Sequence, residues 1–169
     1  MNTKATQHRC KHEDDAIAAY ENEIKKTHCN FTLVRSGLFV NEKDPFLHAT
    51  PDVLTSCDCC GLGCGEVKCP ICLRDCDFEK YTLENNACLE KVDGVFCMKR
   101  HHNYYFQVQQ QLFTLIDRKH CDFVVCAISP DRKPQIVKER VYPDSKHWDT
   151  VVPKLEGFWR VCILPEILG

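Results

Sequence analysis

The chain has 169 residues, 44% hydrophobic and 27% charged, with a net charge of −2. That length and balance fit a single globular domain with a real core, and no apolar run approaches the ~20 residues that span a bilayer. The N-terminus is polar and lacks a signal-peptide core, so a soluble intracellular protein of the nucleus or cytoplasm is expected, with no membrane partner.

Lys11 to Lys26 reads as a helix, because Ile17, Tyr20 and Ile24 recur at three- and four-residue steps. Phe31 to Val40 is β-like, with Gly37 as a bulge, and Asn41 to Pro45 is a turn. Asp52 to Ser56 is a second strand, Cys57 to Gly63 a loop, and Gly65 to Cys69 a third strand that Pro70 ends. Asp77 to Val92 holds a short helix. Asn103 to Ile116 is a helix with Tyr105, Val108, Leu112 and Leu115 on one face. Cys121 to Ile128 is apolar enough to be buried on both faces. After a turn at 130–134, Gln135 to Tyr142 alternates as a strand, and Asp144 to Leu164 is a closing helix interrupted near Pro153. This order predicts an α/β or α+β fold with a mixed central sheet flanked by helices.

Within that frame, two acids and a lysine carry the chemical signal: Asp52 after Pro51, then Glu66 and Lys68 around Val67. Residues two apart on a strand share a face, so Glu66 and Lys68 project together, and a hairpin can bring Asp52 beside them. Paired carboxylates hold a hard divalent cation such as Mg²⁺. A lysine beside that cation can position water or steady charge on phosphorus. The competing reading is a turn aspartate and a solvated Glu–Lys pair.

Fourteen cysteines are many. Without a secretory signal the disulfide-framework reading loses its usual support. Cys57, Cys59, Cys60, Cys64, Cys69 and Cys72 are the candidates for a Zn²⁺ site, with Cys69-x-x-Cys72 the one clean metal-ligand spacing. Reduced thiols are the favoured alternative. The charge is also uneven. Residues 1–98 carry 11 Lys+Arg against 16 Asp+Glu, and residues 99–169 carry 11 against 8. Lys99-Arg100-His101-His102, Arg118-Lys119-His120 and Arg132-Lys133 are candidates for a phosphate-facing surface, with solvated loop charge as the alternative.

Ser36-Gly37-Leu38-Phe39-Val40, Pro45 through Asp52, and Glu66-Val67-Lys68-Cys69-Pro70 together resemble the YqaJ-type viral recombinase and lambda-exonuclease family. That family belongs to the PD-(D/E)XK nucleases, with a restriction-endonuclease-like fold. Tyr104 through Gln109 and Cys121 through Val125 resemble its glutamine-bearing helix and following strand, and His12 through Ala16 its first helix. Phe158-Trp159 and Leu164-Pro165 resemble its C-terminal helix. The likeness runs from residue 12 to the end. It implies a polar tail at 1–11, a nuclease domain at 12–169, and a chain shortened at its N-terminus. It further implies Mg²⁺ or Mn²⁺ held by Asp52, Glu66, the Val67 carbonyl and Glu13. Lys68 and Gln107 would orient water or phosphate, and Thr50 and Tyr104 would contact substrate. Val53 stands where the family usually has glycine.

The function expected from this resemblance is a metal-dependent deoxyribonuclease, exonucleolytic on duplex DNA, in recombination or a mobile or viral element. The alternative is a catalytically impaired nuclease-fold protein that binds DNA or acts as a scaffold. A homo-oligomer is compatible with either.

Overall fold

The computed structural model describes residues 4–129 and 131–169. Helix α1 (Lys4–Ile24) leads into β1 (Thr32–Arg35), β2 (Phe39–Val40), β3 (His48–Ala49), β4 (Val53–Cys57) and β5 (Gly61–Lys68). A short 3₁₀ turn, α2 (Phe78–Thr82), β6 (Leu89–Val92), β7 (Val95–Met98) and α3 (Asn103–Thr114) follow. The chain closes with β8 (Cys121–Ser129), β9 (Arg132–Val141), α4 (Ser145–Phe158), a π-type turn and α5 (Leu164–Leu168).

The main sheet has the order β1-β4-β5-β8-β9, and β5–β8 is its one parallel pair among the described residues. A parallel pair needs a long crossover; here α2, the β6–β7 hairpin and α3 supply it. Strand β8 separates two cores. Val124 and Cys126 pack with Ala16, Ile17, Tyr20 and Ile24 of α1. Cys121, Phe123, Val125 and Ala127 pack with Tyr105, Val108 and Leu112 of α3. The period-2 alternation thus supplies both faces, as the apolar run predicts.

Several expectations need correction. Helix α1 begins at Lys4, so residues 4–11, expected as a tail, are helical. The strand expected over 31–40 is two strands in two sheets, with Gly37 in the break between them rather than in a bulge. β5 begins at Gly61, inside the expected loop, because the β4–β5 turn closes in three residues. Gly61 takes φ +75 at the end of that turn, where a left-handed residue lets a three-residue hairpin close. The short helix expected within 77–92 is α2, while the end of that stretch is strand β6, where Leu89 is buried and Lys91 is exposed. β9 starts at Arg132 and contains Pro134, which an edge strand tolerates. Finally, α4 passes through Pro153. Aromatic anchors hold it on either side: Trp148 stacks on Phe113 at 4.6 Å, and Trp159 meets Phe46 at 6.3 Å.

Candidate functional site

The β4–β5 hairpin assembles the acidic residues. Asp52 N donates to Gly65 O at 3.1 Å, one residue before β4 begins. Pro51 cannot continue the ladder, since it has no N–H. The Asp52 carboxylate takes over: Oδ2 accepts from Val67 N at 2.7 Å. A strand residue points its N–H and C=O the same way, so the Val67 carbonyl also faces the Asp52 side. Val53 is a buried strand residue. Its Cγ2 lies 2.8 Å from where a Gly65 Cβ would stand, so the glycine opposite makes room for it.

Glu66 and Lys68 point together to the α3 side and are both buried, 0% and 2% exposed. The Lys68 ammonium bonds Glu66 Oε1 and lies 4.4 Å from the centroid of the Tyr104 ring. Two amides from α3 complete the carboxylate's surroundings. Gln107 Nε2 donates to Oε1 at 2.7 Å, and Gln111 Nε2 donates to Oε2 at 2.6 Å. Three charge-assisted contacts of this kind hold one buried carboxylate in a fixed orientation.

Burial pushes the Asp52 carboxyl up to about 6, and the neighbouring Glu66 charge adds to the rise. The Val67 N–H and the Lys68 ammonium oppose it, and Glu13 raises it further. Glu13 is therefore within electrostatic reach of the hairpin acids, while its Oε1 pairs with Arg35 Nη1 at 2.7 Å. Asp14 binds the other arm of the same guanidinium.

Of the residues expected from sequence, Asp52, Glu66, Val67, Lys68, Gln107 and Tyr104 gather in one place, with Glu13 at its edge. Tyr104 is half-buried, and its ring packs against the Lys68 ammonium and Phe123. Thr50 is exposed beside Pro51. Gln111 was missed, although its four-residue step from Gln107 puts both amides on one helix face.

The basic runs divide. Arg132 and Lys133 are exposed. Arg118, by contrast, donates to the carbonyls of Thr55 and Gly63 at 3.3 Å, which makes it a brace for the hairpin. His120 is buried against Gly63, where a Cβ would meet its ring at 2.4 Å. Neither belongs to a phosphate-facing surface.

The cysteine expectation also splits. Cys57, Cys59 and Cys60 lie together at the hairpin tip. Cys64 is buried in β5 opposite Cys121, and Cys69 Sγ lies 3.8 Å from His12 O. Cys72 is exposed in the 3₁₀ turn. These last three are not part of a common ligand set with the hairpin thiols; strand alternation and Pro70 send them elsewhere.

No helix among the described residues is long and apolar enough to cross a membrane. The alkaline exonuclease LHK-Exo of Laribacter hongkongensis superposes with a TM-score of 0.63 at 22% identity, over 94% of this chain and 68% of that one. Its complex with dAMP gives 0.65 at 22% identity, over 95% and 69%. At that identity the likeness concerns the fold. No curated protein matches. The family model of the YqaJ-like viral recombinase domain matches residues 1–114, a span that includes Asp52, Glu66, Lys68, Gln107 and Gln111. The chain belongs to the YqaJ-like viral recombinase family.

Proposed function

We propose that this chain is a divalent-metal-dependent deoxyribonuclease acting exonucleolytically on duplex DNA, in recombination or in a viral or mobile element. The observation that carries this reading is the buried Glu66–Lys68 pair beside a carboxylate whose pKa is driven up partly by Glu66. Two mutually repelling carboxylates are costly, and a divalent cation shared between them would cancel the repulsion. The donor set fits a hard cation: Asp52, Glu66 and the Val67 carbonyl offer oxygen, with Glu13 as an outer acid. Mg²⁺ is the expected ion and Mn²⁺ its substitute. When bound, it would lower the pKa of water and offset charge building on phosphorus.

The chain's own residues do the rest. Gln107 and Gln111 lock the Glu66 carboxylate, so its oxygens are preorganised. Lys68, buried and bonded to Glu66, brings an ammonium beside the acids. It would hold the attacking water by hydrogen bonding, while Tyr104 stabilises the ammonium through its π face. Thr50, exposed two residues before Asp52, would contact a phosphate. The exonuclease named among the structural neighbours, also seen with dAMP, supports the same substrate class.

The test uses linear duplex DNA labelled at either end, with Mg²⁺, Mn²⁺ or EDTA. Stepwise mononucleotide release from one end, abolished by EDTA, is expected. Binding without divalent-dependent cleavage at ends or interior would replace the nuclease with a DNA-binding scaffold.

A further inference from the structure

The thiols at the closed end of the β4–β5 hairpin have a fourth companion from another part of the chain. His28 follows α1, and one ligand atom each from His28, Cys57, Cys59 and Cys60 lies within 4.8 Å of the others. Cys59 Sγ is 3.4 Å from Cys57 Sγ, and Cys60 Sγ is 3.9 Å from Cys59 Sγ. Thiolates ~2.3 Å from a tetrahedral Zn²⁺ stand roughly 3.8 Å apart, so the sulfurs already have about that spacing.

We propose that His28, Cys57, Cys59 and Cys60 form a structural zinc site of the Cys₃His class at the tip of the β4–β5 hairpin. The two contributing segments are tied independently of the ligands. Asp58 N donates to Cys29 O at 3.1 Å, and Asn30 Nδ2 donates to Asp58 Oδ2 at 2.6 Å. The histidine is oriented as well. Thr27 Oγ1 donates to Ile24 O at 3.3 Å and lies 3.0 Å from His28 Nδ1. In the tautomer whose Nδ1–H donates to Thr27 Oγ1, the Nε2 lone pair is left for the metal.

Thiolate charge has partners too. The Cys60 N–H donates to Cys57 Sγ at 3.3 Å, and Arg140 Nη1 donates to Cys60 Sγ at 2.9 Å. Three thiolates, a neutral imidazole and Zn²⁺ sum to one negative charge, toward which the guanidinium, already paired with Asp122, turns its Nη1 donor. Such outer partners are a regular part of zinc–thiolate sites. Four protein ligands leave no open position, so the site is structural and not catalytic. It lies at the opposite end of β5 from Glu66, six residues from Cys60 and about 20 Å away at strand rise. The inference does not rest on the nuclease reading.

The experiment takes the full chain, purified under reducing conditions, with the Asp52→Asn/Glu66→Gln double variant beside it so that oxygen-site binding cannot contribute. Elemental analysis is expected to find one zinc per chain in both. Replacement by Co²⁺ should give intense thiolate-to-metal charge-transfer absorption and tetrahedral d–d bands. Cys59→Ser/Cys60→Ser and His28→Ala should weaken Co²⁺ binding by more than the roughly 10–100-fold typical of losing an outer partner. Cys69→Ser/Cys72→Ser should bind as the parent does. Cys72 is exposed and Cys69 is buried, so circular dichroism of each metal-free variant separates lost ligands from lost fold. Metal-free protein, a disulfide among Cys57, Cys59 and Cys60 by mass spectrometry, or metal lost from folded Cys69→Ser/Cys72→Ser protein would each overturn the proposal.

Discussion

Glu66 accepts from one ammonium and two amides without solvent exposure, and each partner should fail differently. Asp52→Asn or Glu66→Gln is expected to abolish cleavage in the end-label assay by weakening the cation site, while DNA binding persists or strengthens as a negative charge is removed. Lys68→Ala should cost about 10²–10⁴-fold in turnover, the range for a positioned proton-handling group, with metal affinity preserved when measured by calorimetry. Gln107→Ala should cost less, because an amide orients without carrying charge. The acids also govern stability. The Asp52 carboxyl is raised from 3.8 to about 6, so its contribution is fully present below pH 3.8 and is lost as pH rises through about 6. In metal-free protein the loss is on the order of 3 kcal/mol. Denaturant titration of Asp52→Asn against wild type should therefore show a gap that opens between pH 4 and pH 7, with the inactive variant more stable at neutral pH. An equal gap at both pH values would contradict this. At this scale the sequence was informative where spacing is local. Glu66, Val67 and Lys68 share one strand, and Asp52 lies across one hairpin. His28 was illegible as a companion to the thiols, because only the fold brings the end of α1 to the hairpin tip.

Among the elements, β9 and α1 show what holds the sheet's far side. Arg140 binds Asp122 through Nε at 2.7 Å and Nη2 at 2.9 Å, and Tyr20 OH donates to the same carboxylate at 2.7 Å. The Arg140 guanidinium and the Tyr20 hydroxyl hold the Asp122 carboxyl below its ordinary value despite burial. Asp122 thus stabilises the fold above its unfolded pKa, and that stability is lost as pH falls through the folded one. Removing one partner from a buried bonded pair leaves the other uncompensated. Asp122→Ala should destabilise by about 3 kcal/mol in chemical denaturation, with no specific effect on metal affinity at the hairpin acids. Helix α4 offers the opposite case. Pro153 deprives the helix of one hydrogen bond, yet the helix continues between Trp148 and Trp159. Pro153→Ala should raise the melting temperature, read by circular dichroism. Proline chemistry correctly marks the weak point, whereas the aromatic anchors that override it are tertiary and leave no local periodic sign. The same holds for β6, where short apolar spacing suits either a helix or a hairpin until β7 pairs with it.

At the scale of the molecule, two cores sandwich one sheet, and the pattern of β8 announced this most clearly. Its apolar run could be read as doubly buried without knowing its neighbours. Sheet order could not, because β5 and β8 meet across more than fifty residues of intervening chain. Exposed His101, Lys119, Arg132 and Lys133, with Arg100 paired to Glu139, leave a modest basic contribution to any DNA surface once Arg118 and His120 are assigned to packing. DNA affinity should accordingly fall with salt with a slope reporting few neutralised phosphates, about 0.9 per contact. A slope above roughly six contacts would call for a basic surface that these residues do not supply.

That long β5–β8 separation also orders events in time. The β4–β5 hairpin closes through three residues, so Asp52, Glu66 and Lys68 can find one another early. Gln107 and Gln111 ride on α3, inside the segment that must be threaded before β8 reaches β5, and long closures are slow to be rewarded. The acidic trio therefore forms as a local, unclamped cluster first and acquires its amide clamp only when the parallel pairing is made. In refolding followed by pulse-labelled hydrogen exchange, the amides of β4 should be protected ahead of those of β8.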